Sequence, residues 1–274
     1  MKGFYMNITP VSFLTCLSIP KELPVAGLLV VCPFLFLAGL IDSVAGGGGI
    51  ISLPAYLIAG LPIHNAIATN KLSSTCGTAI TTFRFVKNGL VNLTLAVPSV
   101  LAAIAGSSLG ANLSLMMDER ILKYIMLAVL PAAAFVVFNK NLFQDRGEGK
   151  AELSLKTGLV VTAAAFVVGM YDGFYGPGTG TFLIIAFTVF AHLNIKSANA
   201  QAKVINFTTN VTALAIYLLN GKAVITLGLA GAVCNMIGNY LGSGLVMSKG
   251  AKIVKPVILV VLALLVIKII SELL

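Results

Sequence analysis

Apolar runs long enough to cross a bilayer recur throughout this chain. They lie near residues 24–41, 44–61, 66–86, 91–115 and 121–138, and again near 155–172, 176–193, 198–219, 223–247 and 253–271. A bilayer core about 30 Å thick takes roughly 17–25 apolar residues per helical span. Lipid offers the backbone no hydrogen-bond partner outside a helix or a closed barrel. Only 10% of the residues are charged, against about 25% in a soluble domain, so polar side chains cannot cover a water-facing surface. The expected fold is an all-α polytopic membrane protein.

The polar breaks divide the chain into a leader at 1–23, a first membrane repeat at 24–138, a linker at 139–154 and a second membrane repeat at 155–274. Lys2 and Lys21 flank a weak apolar patch without the long hydrophobic centre or cleavage site of a signal peptide, so the leader is read as retained. The two long segments correspond residue by residue. At an offset of 130, "GLIDSVAGGG" lies over "GMYDGFYGPG", which matches Asp42 to Asp172 and Gly46 to Gly176. At an offset of 132, Ala66, Ala68 and Lys71 lie over Ala198, Ala200 and Lys203. Asn88-Gly89 lies over Asn220-Gly221 in the same register, and Gly106 over Gly238. Shared hydrophobicity aligns Leu and Val, whereas aligned Lys, Asn-Gly and single glycines point to duplication. Two repeats of about five segments are expected. If all ten segments cross, the halves are inverted. If 44–61 and 176–193 only dip in and return, each half crosses four times and the halves are parallel. Ten crossings is the favoured expectation, with the linker cytoplasmic.

Duplicated halves are a common plan of secondary transporters, whose solute sites lie midway through the bilayer where interrupted helices of the two halves meet. The segments after Asp42 and Asp172 are interrupted in this way. Gly46, Gly47, Gly48 and Gly49 leave unshielded backbone amides where a short apolar helix begins, and a helix N-terminus of that kind favours anions. In the second half Gly176, Gly178 and Gly180 surround Pro177, and Thr179 and Thr181 add hydroxyls. Close helix packing through small residues is the competing reading. Lys71 and Lys203 sit near the starts of their segments, where a lysine can snorkel to the headgroups. Each is followed by Ser, Thr or Asn at helical spacing: Ser74, Thr75 and Thr78 after Lys71, Asn206 and Asn210 after Lys203. Such a stripe suits a cavity better than lipid. Asn70 and Gln201 flank the lysines and join the candidate substrate-binding set. Asp42 and Asp172 are candidates for proton coupling or for helix capping, each paired with the lysine of its own or of the opposite half.

Other chemistries find little support. The formal charge of +9 is scattered singly over loops and forms no basic face for nucleic acid; an anionic leaflet explains it. Cys16, Cys32, Cys76 and Cys234 lack metal or disulfide spacing and are expected to be reduced thiols. His64 and His192 lie at segment ends without a second ligand and are expected at the interface. No metal or cofactor is expected, and no catalytic motif points to an enzyme.

The stretches "AGLIDSVAGGGGIISLPAYLIAGLPIHNAIATNKLSST", "GMYDGFYGPGTGTFLIIAF" and "SANAQAKVINFTTN" resemble the TauE/SafE, or sulfite exporter, family, in its YfcA-like branch. The resemblance runs from about 25 to 270. It implies an inner-membrane transporter of small sulfur-containing or organic anions, with sulfite, sulfonates and sulfoacetate as associated substrates. The expected function is thus a secondary transporter, an exporter, for a small anion bound at the repeat interface. Expected partners are that anion and membrane lipids, with self-association left open. A passive anion channel and an accessory membrane subunit are the alternatives.

Overall fold

The computed structural model describes residues 25–118, 154–250 and 252–260, together with 263 and 267. The expected leader, the apolar run at 121–138 and the linker up to residue 153 lie outside the described residues. Every described element is helical. The helices are α1 (Val25–Ala45), α2 (Gly49–Ile58), α3 (Ile63–Lys87), α4 (Leu93–Met116), α5 (Leu155–Phe174), α6 (Thr179–Val189), α7 (Ile195–Leu219) and α8 (Ile225–Lys249). Residues 252–260 form a further helix, α9.

Local sequence explains where these helices start and stop. Asn92, Ser154 and Asn194 each accept a hydrogen bond from the amide three residues on and so cap α4, α5 and α7. Helices α3 and α7 end alike, because Gly89 and Gly221 adopt positive φ and the following amides reach back to the Phe85 and Tyr217 carbonyls. Helix α2 ends through Gly60, also at positive φ. At the corresponding end of α6 stands His192, the one non-glycine residue with positive φ among the described residues.

Helices α4, α5, α7 and α8 are long and apolar enough to cross a membrane. Helix α3 has the same 25-residue length as α7. It is more polar, and its polar side chains are turned inward: Thr69, Asn70, Lys71, Ser73, Thr78 and Thr81 are all buried. Helices α2 and α6 have only 10 and 11 residues. At about 1.5 Å per residue each covers roughly half of a 30 Å core. Residues 44–61 and 176–193 thus hold interrupted helices, each too short to span the core by itself. Gly and Ala in the turns count as apolar in sequence but do not extend the helix.

The short helices double back. Gly48 lies against the Asp42 side chain, while Tyr56 and Leu35 both reach Gly231, so α2 returns along α1. In α6, the Phe182 ring lies tilted against the Tyr171 ring of α5, with centroids 5.6 Å apart. Around these hairpins, α8 packs on α1 and α3, α4 packs on α5 and α7, and α3 crosses α7 at the centre. Helix α8 runs parallel to α3, since Val224 meets Thr69 and Asn239 meets Thr81. Helix α7 is packed in the opposite sense, with Lys203 near its start meeting Thr82 near the end of α3.

The α4–α5 and α8–α1 seams are closed by small residues. A Cβ at Gly106 or Gly110 would collide with the Phe166 or Met170 carbonyl, and one at Gly238 or Gly242 with α1. Without a hydrophobic drive between helices in lipid, this close approach is what van der Waals packing requires. Gly110→Val is accordingly expected to destabilise by about 1–3 kcal/mol through overpacking, read from unfolding in mixed micelles. Gly158→Ala on the neighbouring α5, where a Cβ meets nothing within 4 Å, should stay within about 0.5 kcal/mol of the parent.

Candidate functional site

The two hairpin turns meet in the middle of the bundle. Gly46, at positive φ, lies backbone to backbone against Gly180, and Gly49 faces Pro177. A chain break inside a membrane leaves helix-end carbonyls without partners, and here the opposite half supplies them. Asn199 of α7 donates to the Ser43 and Val44 carbonyls at 3.2 and 3.0 Å, and Thr181 donates to the Ala45 carbonyl at 2.6 Å. Tyr217 of α7 closes the end of α5 by donating to the Gly173 carbonyl.

Four charges lie at this junction. Lys71 of α3 is 2.9 Å from Asp172 of α5, and Lys203 of α7 is 2.9 Å from Asp42 of α1. Each lysine therefore pairs with the aspartate of the opposite half, at positions that the sequence correspondence makes equivalent. Lys71 and Lys203 are 1% and 0% exposed, so neither snorkels. An unpaired charge at this depth is costly, and two closed pairs bring the sum to zero. Neither aspartate caps a short helix: the N-cap residues of α2 and α6 are Gly48 and Gly178, without a side-chain cap.

Beside the pairs lies a cavity of about 20 Å³, lined by Asp42, Gly46, Gly49, Asn70, Lys71, Ser74, Asp172, Gly176, Thr179, Asn206 and Asn210. That is about the room one water needs. The lining is nearly two-fold in sequence terms, with Asp42 and Asp172, Gly46 and Gly176, Gly49 and Thr179, and Ser74 and Asn206 as matched positions. The α3 contribution is larger, because Lys71 and Asn70 line the cavity while Lys203 stands behind Asp42 and Ala202 takes the place of Asn70.

The lining presents donors that are not used up. Asn210 donates to the Asn206 side-chain oxygen at 3.1 Å, and Ser74 to the Asn70 side-chain oxygen at 3.4 Å. Both carboxamide oxygens are thereby engaged. The Asn70 and Asn206 nitrogens have no acceptor among the described residues and can donate to a guest. Outside the lining, the backbone amides of Gly47 and Gly48 also have no acceptor among the described residues.

Of the residues singled out in the sequence, Gly47, Gly48, Gly178, Gly180, Gln201 and Lys203 do not line the cavity. Gly48 and Gly180 instead permit close approach to Asp42 and to Gly46, and Gly178 begins α6 in a left-handed conformation. Gln201 is buried away from the cavity, and its amide nitrogen has no partner among the described residues. His64 is buried rather than interfacial. Asn199 escaped the sequence reading, and Thr181 stood in it only as a hydroxyl of the second glycine turn. Both are polar residues in apolar surroundings, and their counterparts at the same offsets, Ile67 and Ile51, show that they serve one half only. No cluster of metal ligands occurs among the described residues.

Broken helices around a charge-balanced polar cavity are the arrangement in which secondary transporters hold their solutes. The chain belongs to the sulfite exporter TauE/SafE family, which matches residues 31–269. It is 35% identical to the "Probable membrane transporter protein ORF9" of Sinorhizobium sp, over 86% of this chain and 90% of that protein. Identity is also 35% to the "Probable membrane transporter protein YfcA" of Escherichia coli K12, over 83% of each. A "Probable membrane transporter protein" of Haemophilus influenzae is 34% identical over 82% of this chain and 87% of its own length. No solved structure matches the chain. The chain is a multi-pass membrane protein of a transporter family.

Proposed function

We propose that this protein is a secondary exporter of a small anion, bound where two inverted halves meet. Sulfite, organosulfonates and related carboxylates are the candidate substrates, the first drawn from the family's name. The observation that carries the reading is the polar cavity at the paired turns, where two cross-half ion pairs cancel and the Asn70 and Asn206 amides stand free to donate. The opposed directions of α3 and α7 support inversion. A site with room for about one water suits a carrier that rearranges around its solute, whereas a passive channel needs a continuous water path. The zero net charge also gives an anion a reason to arrive with a proton. Protonating one aspartate leaves the site net positive, so anion binding should strengthen as pH falls.

Purified protein in liposomes tests this. Uptake of sulfite or an organosulfonate should saturate with concentration and accelerate under an inward-acid gradient. Asn206→Ala should raise the half-saturating concentration about 10-fold to 150-fold, as expected for a lost hydrogen bond to a charged group of about 1.5–3 kcal/mol. Linear, unsaturable flux, or no flux of any anion tried, contradicts the reading.

A further inference from the structure

The cations that lie singly along the sequence gather at one end of the bundle. Helix α4 begins where α3 ends, α8 runs parallel to α3, α5 runs parallel to α4, and α7 runs against α3. The ends of α3 and α8 therefore share one face with the starts of α4, α5, α7 and α9. That face carries Arg84, Lys87, Lys156, Lys196, Lys249 and Lys252, and no aspartate or glutamate among the described residues. The opposite face carries Lys222 and Asp118, whose charges cancel. At one corner the cations converge on Gly250, the joint between α8 and α9. Lys196 donates to the Met247 carbonyl at 3.2 Å and lays its stem beside Gly250. Lys249 and Lys252 flank the same glycine and are exposed. Nearby on α8, the central carbon of the Arg84 guanidinium lies 4.2 Å from the Tyr240 ring centroid, and Arg84 donates to the Ser243 hydroxyl at 2.7 Å. Tyr240 is 58% exposed, and an exposed tyrosine at a helix end marks the headgroup level of a bilayer.

We infer that the face formed by the ends of α3 and α8 is a docking surface for anionic phospholipid headgroups of the cytoplasmic leaflet, with Lys249 and Lys252 at the Gly250 corner as its main phosphate contacts. Anionic lipids give that leaflet a negative surface potential, which attracts lysines and arginines placed at the membrane edge. The same asymmetry sets the orientation, with the start of α5 toward the cytoplasm and Lys222 on the far side. A bare soluble oxyanion fits less well, because exposed apolar side chains border these cations. Tyr240 and Leu241 on α8 and Leu259 and Val260 on α9 are each about half exposed. A ligand that carries both a phosphate and acyl chains matches that border. The docking surface stands whether or not the central cavity carries an anion.

Binding of phosphatidylglycerol to the purified full chain in neutral detergent micelles tests the surface. The wild type should bind it more tightly than phosphatidylcholine, and the advantage should shrink as salt is added. The double variant Lys249→Gln, Lys252→Gln should lose about fivefold in affinity per lysine, the effect of one cation near an anionic surface. Lys249→Arg, Lys252→Arg should keep the affinity, and Lys222→Gln on the opposite face should leave it unchanged. For the orientation, Ser248→Cys in a background with the native cysteines replaced should react with an impermeant thiol reagent in inverted membrane vesicles and not in intact cells. Asn220→Cys, exposed at the other end of the bundle, should do the reverse. Equal binding of the two lipids, an equal loss in Lys222→Gln, displacement of the lipid by inorganic phosphate at matched concentration, or labelling of Ser248→Cys in intact cells overturns the assignment.

Discussion

Lys71→Met is expected to destabilise the protein by about 3–5 kcal/mol, the penalty for leaving one partner of a buried ion pair uncompensated. Asp172 would keep only the Thr179 hydroxyl, and its side chain is 3% exposed, so water cannot take over from the lysine. Equilibrium unfolding in mixed micelles gives the value. The double variant Lys71→Met, Asp172→Leu removes both charges and should recover most of the loss, since buried pairs replaced by apolar residues of similar volume are often neutral or stabilising. The same double variant should fail to move anions, because two lining residues are gone. Recovered stability without transport separates the fold's need for a closed pair from the site's need for its charges. If Lys71→Met alone costs under about 1 kcal/mol, the range of an exposed ion pair, the Lys71–Asp172 pair is open to water and the buried junction is wrong.

Gly46→Ala is expected to do comparable damage for a different reason. Gly46 sits at φ +77, and a Cβ there would fall on the Gly180 backbone of the opposite turn. A non-glycine residue in that conformation costs about 1–3 kcal/mol, and overpacking against a backbone that cannot yield adds about 1–3 kcal/mol. Gly60 isolates the first effect, because it has φ +89 and an added Cβ would meet nothing within 4 Å. Gly60→Ala should therefore lose only about 1–2 kcal/mol. Equal losses at the two positions would show that the turns do not press against each other.

Much of this was legible in the sequence because lipid enforces simple rules. Helix positions followed from apolar length, and the interruptions from an aspartate and glycines inside otherwise oily runs. The lysine stripe was visible as well: Ser74, Asn206 and Asn210, read as a polar face at helical spacing, do line the cavity. What stayed hidden was long-range. Lys203 and Asp42 are 161 residues apart, and nothing local shows that each lysine crosses to the other half. The glycine run was open to two readings, and both hold at different positions. Gly46 and Gly49 line the cavity, while Gly48 and Gly180 are consumed by close packing. The lysines looked able to snorkel because each lies only five residues into its apolar run. Helices α3 and α7 in fact begin three residues before those runs and carry the lysines deeper.

Solvent access to the junction decides the account most directly. In a background with Cys16, Cys32, Cys76 and Cys234 replaced, Ser74→Cys and Asn206→Cys should react with a small, membrane-impermeant thiol reagent in liposomes. A transported anion should slow both reactions, while a cysteine on the lipid-facing side of α4 at Leu101 should show no such protection. If neither junction cysteine reacts from either side of the membrane, the turns enclose packing rather than a path, and no solute passes between them.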